Sequence, residues 1–128
     1  MDDKGREAVA REFVRSFNER DLDAFTATLD PDVELHSMKG LRRGIPAARE
    51  WADRSTGGVQ QTVVINSAEI VGDKVLLRIT REWNWAEDGS LAGSDEMAWF
   101  FLVRDTGIVT WIPFADTAEA FAAFTKPE

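Results

Sequence analysis

A chain of 128 residues is the length of one ordinary domain, enough to bury roughly two-thirds of the surface that the unfolded chain exposes. It contains no cysteine, which excludes disulfides, thiolate metal sites and cysteine nucleophiles. Fifteen Lys and Arg against 23 Asp and Glu give a formal charge of -8, which disfavours attraction to nucleic acid or to anionic lipid. No apolar run approaches the roughly 18 to 20 residues of a membrane span, and Met1-Asp2-Asp3-Lys4-Gly5 lacks the basic and apolar stretches of a signal peptide. The expectation is one soluble, cytoplasmic domain over residues 1–128, with neither nucleic acid nor membrane as a partner. Five Trp and eight Phe stand beside no Tyr. Such rings suit an apolar wall, and each Trp brings one N–H that needs an acceptor.

From Arg6 to Asn18, Val9, Phe13, Val14 and Phe17 recur at helical spacing, which predicts an amphipathic helix. Asp21 is placed to cap a second, shorter helix that ends near Leu29, before Pro31. Val33 to Ser37 alternates as a short strand. Gly44-Ile45-Pro46 then opens a helix to about Arg54 with Trp51 on its inner face, stopped by Gly57-Gly58. Four strands follow, Val59 to Ile70, Lys74 to Trp85, Ala92 to Arg104 and Ile108 to Phe114, joined by short polar turns that predict an antiparallel meander. Their length exceeds that of the usual strand and implies strong bending or bulges. Asp116-Thr117-Ala118-Glu119 opens a closing helix that carries Phe121 and Phe124. The predicted order is α-α-β-α-β-β-β-β-α, a strongly curved sheet with helices on its concave face.

This order, with Phe17-Asn18-Glu19-Arg20-Asp21-Leu22-Asp23-Ala24-Phe25, Leu29-Asp30-Pro31-Asp32-Val33-Glu34, Gly44-Ile45-Pro46-Ala47-Ala48, Gly107-Ile108-Val109 and Phe114-Ala115-Asp116-Thr117-Ala118-Glu119-Ala120, resembles the SnoaL-like, polyketide-cyclase-like branch of the nuclear transport factor 2-like (NTF2-like) superfamily. The resemblance covers nearly the whole chain. It implies an α+β fold of cone-like shape, with a strongly curved, mostly antiparallel sheet around a cavity, and a homodimer through the outer face of the sheet. It does not fix a function, because the fold hosts isomerases, cyclases, epoxide hydrolases and transport factors. In the ketosteroid isomerases of this superfamily a tyrosine, a protonated aspartate and an aspartate base do the chemistry. The matching positions here are Phe13, Trp99 and Ser37. A phenyl ring cannot donate to an oxyanion and an un-ionised serine is a weak base, so that mechanism is disfavoured.

His36, the only histidine, is the candidate general acid or base. Two readings stand: facing the cavity beside Asp95 or Glu96, or turned outward by strand alternation from Leu35 and Ser37. Arg78 and Glu82 share a strand face, either as an inward pair or on a solvated surface, and Arg42-Arg43 reads as a solvated turn more than a phosphate site. Asp21, Asp116 and Glu119 are capping groups, and scattered carboxylates with one histidine give no metal site. No cofactor is called for. Phe13, Phe17, Ser37, Trp51, Trp83, Trp99, Phe101, Trp111 and Phe114 are the predicted pocket. It suits a flat, largely apolar metabolite, polycyclic or aromatic, with cofactor-independent proton transfer as the chemistry open to it. The alternative is a non-catalytic dimerisation or interaction domain whose cavity is filled by its own side chains.

Overall fold

The computed structural model describes residues 2–37, 40–53 and 59–126. Helix α1 (Asp3–Glu19) begins where the Asp2 carboxylate accepts from the Gly5 N–H. It ends at Arg20, whose φ of 55° turns the chain out of the helix. Asp21 then accepts from the Ala24 N–H and starts α2 (Leu22–Ala27). The helical face Ala10, Phe13, Val14 is buried, as its spacing requires, and Phe25 of α2 joins it.

Six strands follow: β1 (Leu29–Ser37), β2 (Gly40–Arg43), β3 (Val59–Val71), β4 (Lys74–Trp85), β5 (Leu91–Arg104) and β6 (Gly107–Phe114). Helix α3 (Ile45–Asp53) lies between β2 and β3, and α4 (Thr117–Thr125) closes the chain. The β3-β4-β5-β6 meander is antiparallel, as its turn chemistry predicts. Strand β2 was not predicted: Leu41-Arg42-Arg43 forms a hairpin with β1 instead of a turn, and the Arg43 guanidinium pairs with Glu34 across it at 3.1 Å. The helix stop expected at Gly57-Gly58 lies outside the described residues.

The expected strongly curved, cone-like sheet is corrected, while four of its five strand pairings are antiparallel, as expected. The strand order is β2-β1-β6-β5-β4-β3, with β2 and β3 as edges, and β1 runs parallel to β6. The sheet is therefore mixed and open, neither strongly curved nor closed. The length that suggested rolling is taken up locally, by register shifts at Ile65/Ser67, Trp83/Asn84 and Leu102/Val103. A further shift separates the two stretches of β1–β6 pairing, between Leu29 and Glu34, around Pro31, which has no N–H to give a ladder.

Helices cover both faces, another departure from the expectation of helices on one concave side. The α1, α2, α3 layer packs on the face that carries Val75, Leu77, Ile79, Trp99, Phe101 and Trp111. Helix α4 buries Ala120 and Phe124 on the opposite face, against Leu76, Ala98 and Phe100. Its start is fixed by Asp116, which accepts from the Ala118 and Glu119 N–H groups. At the edge, Asn18 of α1 holds β3 with two bonds of 2.8 Å, one given to the Val63 carbonyl and one received from its N–H. That clasp sets α1 over the inner face, where the candidate site lies.

Candidate functional site

The inner face gathers rings from five elements. Phe13 of α1 meets Phe25 at 4.8 Å, Phe101 at 5.2 Å, and Trp99 and Trp111 each at 6.1 Å between centroids. Trp51 stacks on Phe17 at 5.3 Å and lies 4.9 Å from Trp111, while Trp99 and Trp111 meet edge to face at 5.1 Å and 88°. Offset and edge-to-face contacts of this kind are the favoured geometries of aromatic pairs. They leave a small cavity of about 30 Å³, lined by Phe17, Ser37, Trp51, Gln61, Arg81, Met97, Trp99, Trp111 and Pro113. That is room for one or two water-sized groups. The rings fill most of the space that the sequence predicted they would line.

The predicted residues separate into four groups. Phe17, Ser37, Trp51, Trp99 and Trp111 line the cavity. Phe13 and Phe101 are wholly buried behind it, in the core. Trp83 is half-buried at its edge, with the Arg81 guanidinium 4.8 Å over the ring. Phe114 is on the wrong face: three residues from Trp111, it alternates outward with Ile112 and packs toward α4. Gln61, Arg81, Met97 and Pro113 were missed. Each lay one step of strand arithmetic away, since Arg81 is two before Trp83, Met97 two before Trp99 and Pro113 two after Trp111, while Gln61 pairs with Trp83 across β3–β4.

His36 is exposed and alternates with the buried Val33 and Leu35, so it stands on the opposite face of β1 from the cavity. Asp95, its suggested partner, is instead held by Arg81 in a bidentate pair with distances of 2.9 and 2.5 Å. The Arg81 bond pushes the Asp95 carboxyl below its usual range and keeps it ionised. Arg78 and Glu82 share the parity of Leu76 and so face away from the cavity; Arg78 lies 3.7 Å from Glu69. The Ser37 hydroxyl donates to the Gly40 carbonyl at 2.7 Å. Among the described residues no three His, Asp or Glu side chains cluster as metal ligands would.

The chemistry of the cavity is set by two further groups. The indole nitrogens of Trp99 and Trp111 are buried, and neither N–H has a hydrogen-bond partner among the described residues. A buried donor left unpaired costs about 1–3 kcal/mol, so two of them on one small cavity mark it out from ordinary core. A larger depression of about 560 Å³ lies between α1, α2 and the turn from β5 to β6, an open groove lined by Ala8, Val9, Ala24 and Ala27 together with Glu12, Thr28, Asp105, Thr106 and Gly107. Among the described residues lining that groove none has a buried unpartnered side-chain donor. The aromatic cavity, though smaller, is the one lined by the two residues with buried unpartnered donors.

These features define the class: an α+β domain with a mixed sheet, helices packed on it, and a small hydrophobic, aromatic cavity under the first helix. The model of the SnoaL-like domain family matches residues 10–111, and the chain belongs to that family. No curated protein matches it. Among solved structures it is similar to an NTF2-like protein of unknown function from Burkholderia pseudomallei K96243 (TM-score 0.73, 19% identity, covering 94% of this chain and 98% of that one). It is also similar to an epoxide hydrolase of the LEH-like type from M. tuberculosis (TM-score 0.72, 22% identity, 91% and 86% covered). TerC, co-crystallised with polyporic acid, matches with a TM-score of 0.73 at 18% identity over 93% and 96% of the two chains. At these identities the likeness is one of fold. Among the described residues no helix is long and apolar enough to cross a membrane.

Proposed function

We propose that this chain binds a small, largely apolar organic molecule end-on, its tip entering the aromatic cavity and its body lying across the mouth against Phe17, Met97 and Pro113. The observation that carries this reading is the pair of buried, unpartnered indole donors in a cavity lining that also holds Phe17, Trp51, Met97 and Pro113 as apolar wall and Ser37, Gln61 and Arg81 as polar groups. Binding sites of small molecules have this make-up, an apolar wall with a few placed polar groups. A neighbour of the same fold crystallised with an organic acid is consistent with it. Binding is favoured over proton transfer. Among the described residues the titratable side chain lining the cavity is Arg81, already paired, and His36 stands across the sheet from it. A general base must reach the proton it removes, and geometry comes before pKa.

The test is a fluorescence titration with polycyclic ketones and phenols in a Trp85→Phe background, which removes the half-exposed indole that surface quenching would report. A saturable change is expected, weakened at least tenfold by Ser37→Phe. Residue 37 is half-buried beside the cavity, whose volume of about 30 Å³ cannot take a ring, so the new phenyl group covers the mouth and blocks the ligand's tip. A change of the same size in the Ser37→Phe variant would place the ligand elsewhere.

One observation favours a second reading, a non-catalytic dimerisation domain: the rings nearly fill their own cavity. On the outer face of the sheet Val64 of the edge strand β3 is exposed, and a second copy seated there would cover it. Under this reading no compound of the panel gives a saturable signal, and sedimentation velocity finds a dimer that Val64→Lys reduces to monomer.

A further inference from the structure

We propose that the aromatic cavity is a carbonyl-oxygen site: Trp99 and Trp111 supply their indole N–H groups to a neutral acceptor oxygen at the tip of an otherwise apolar ligand. This rests on the small-molecule reading above and narrows it to a ligand class. An indole N–H only donates, so the group that satisfies it must accept. Both rings are nine-tenths or more buried, at 2% and 3% exposure, both line the same cavity, and neither N–H is used within the described fold. The volume of about 30 Å³ admits an oxygen or two but not a ring. The ligand body must then lie outward, where the lining residues Gln61 and Arg81 are half-exposed.

Charge decides between a carbonyl and a carboxylate. The one cation among the described residues of the lining, Arg81, is bound bidentately by Asp95, so its charge is compensated before any ligand arrives. An anionic tip would enter between neutral donors with Asp95 close behind Arg81, and burial of a charge without a free counter-charge is unfavourable. A neutral carbonyl pays no such penalty and accepts from both indoles through its two lone pairs. A hydroxyl accepts as well, but its own hydrogen must then find an acceptor, which only the Ser37 oxygen, its hydrogen already given to Gly40, is placed to supply among the described hydroxyls of the lining, so 1-indanol is the nearest competitor.

Four compounds sharing one bicyclic body separate these cases: indane, 1-indanone, 1-indanol and indane-1-carboxylate. Each is titrated into ¹⁵N-labelled protein while the five indole N–H resonances are followed, those of Trp99 and Trp111 being assigned by their loss in Trp99→Phe and Trp111→Phe. The expected result is that 1-indanone binds at least fivefold more tightly than indane or the carboxylate and moves both assigned resonances downfield. Each Phe variant should lose about fivefold for 1-indanone and nothing for indane. Should either variant fail to fold, the comparison of the four ligands on the wild-type protein still decides. Equal affinity for indane and 1-indanone, preference for the carboxylate, or binding of 1-indanone with both resonances unmoved would overturn the carbonyl site and leave the small-molecule reading standing. Absence of binding by all four overturns both.

Discussion

Gly107 opens β6 with φ of +120°, and a Cβ built there would sit 2.8 Å from the Thr28 carbonyl oxygen and 2.9 Å from the Asp30 nitrogen. The neighbouring Ile108 N–H donates to that same Thr28 carbonyl at 2.9 Å, so the close approach is what lets the parallel β1–β6 pairing begin. Both the conformation and the space call for glycine. Gly107→Ala should lower the unfolding free energy by about 2 kcal/mol or more, read as a fall in urea midpoint at unchanged slope. Gly72 is the control: its φ is +59° but nothing lies within 4 Å of a built Cβ, so Gly72→Ala should cost only about 1 kcal/mol. Equal losses at the two positions would mean that the contact with Thr28 contributes nothing.

The elements divide into those whose evidence is local and those whose evidence is not. Caps and hairpins were legible because the signal lies within a few residues: Asp21 and Asp116 each accept from N–H groups two or three positions on, and the β3-β4-β5-β6 turns join strands adjacent in sequence. The parallel β1–β6 contact joins segments some seventy residues apart and leaves no local mark, so the one parallel pair in a mostly antiparallel sheet was not foreseen. Strand length alone cannot distinguish a rolled sheet from an open one with dispersed register shifts. At the site, two-residue periodicity would have supplied Arg81, Met97 and Pro113, and would have turned Phe114 away from the cavity. The indole N–H groups left without partners could not be read from sequence, since whether a donor is satisfied depends on every neighbour in three dimensions. Helix α4 gives the separation of faces a test. Phe124→Ala removes a ring that is 3% exposed on the far side of the sheet and should cost about 3 kcal/mol, slightly less if the small cluster collapses onto the gap. Ligand affinity should stay within twofold, because no lining residue belongs to that cluster. A tenfold change in affinity would show the two faces to be coupled through β5.

For the molecule as a whole, the excess of carboxylates makes acid the informative direction. The Thr106 hydroxyl, then the Asp32 N–H and Arg104 hold Asp30 below the usual aspartate range, and Arg81 does the same for Asp95. A carboxyl whose pKa is lower folded than unfolded binds fewer protons in the native state, so stability rises with pH through that interval. Its contribution is complete above the unfolded value, near 4, and is lost as pH falls through the lowered folded value. Net repulsion acts oppositely: the charge of -8 at pH 7 shrinks toward zero as the solution approaches the sequence pI of about 4.7. The melting temperature should therefore hold level or climb slightly from pH 7 to pH 5, then drop below pH 4 when the aspartate contributions go. Asp30→Asn with Asp95→Asn should lower it at pH 7 and flatten the acid limb, because the groups that titrate there are gone. In the same interval protonation of Asp95 releases Arg81 at the cavity mouth, so Asp95→Asn should also narrow the preference for 1-indanone over indane-1-carboxylate at pH 7. An acid limb equally steep in the double variant would assign the loss to other carboxylates.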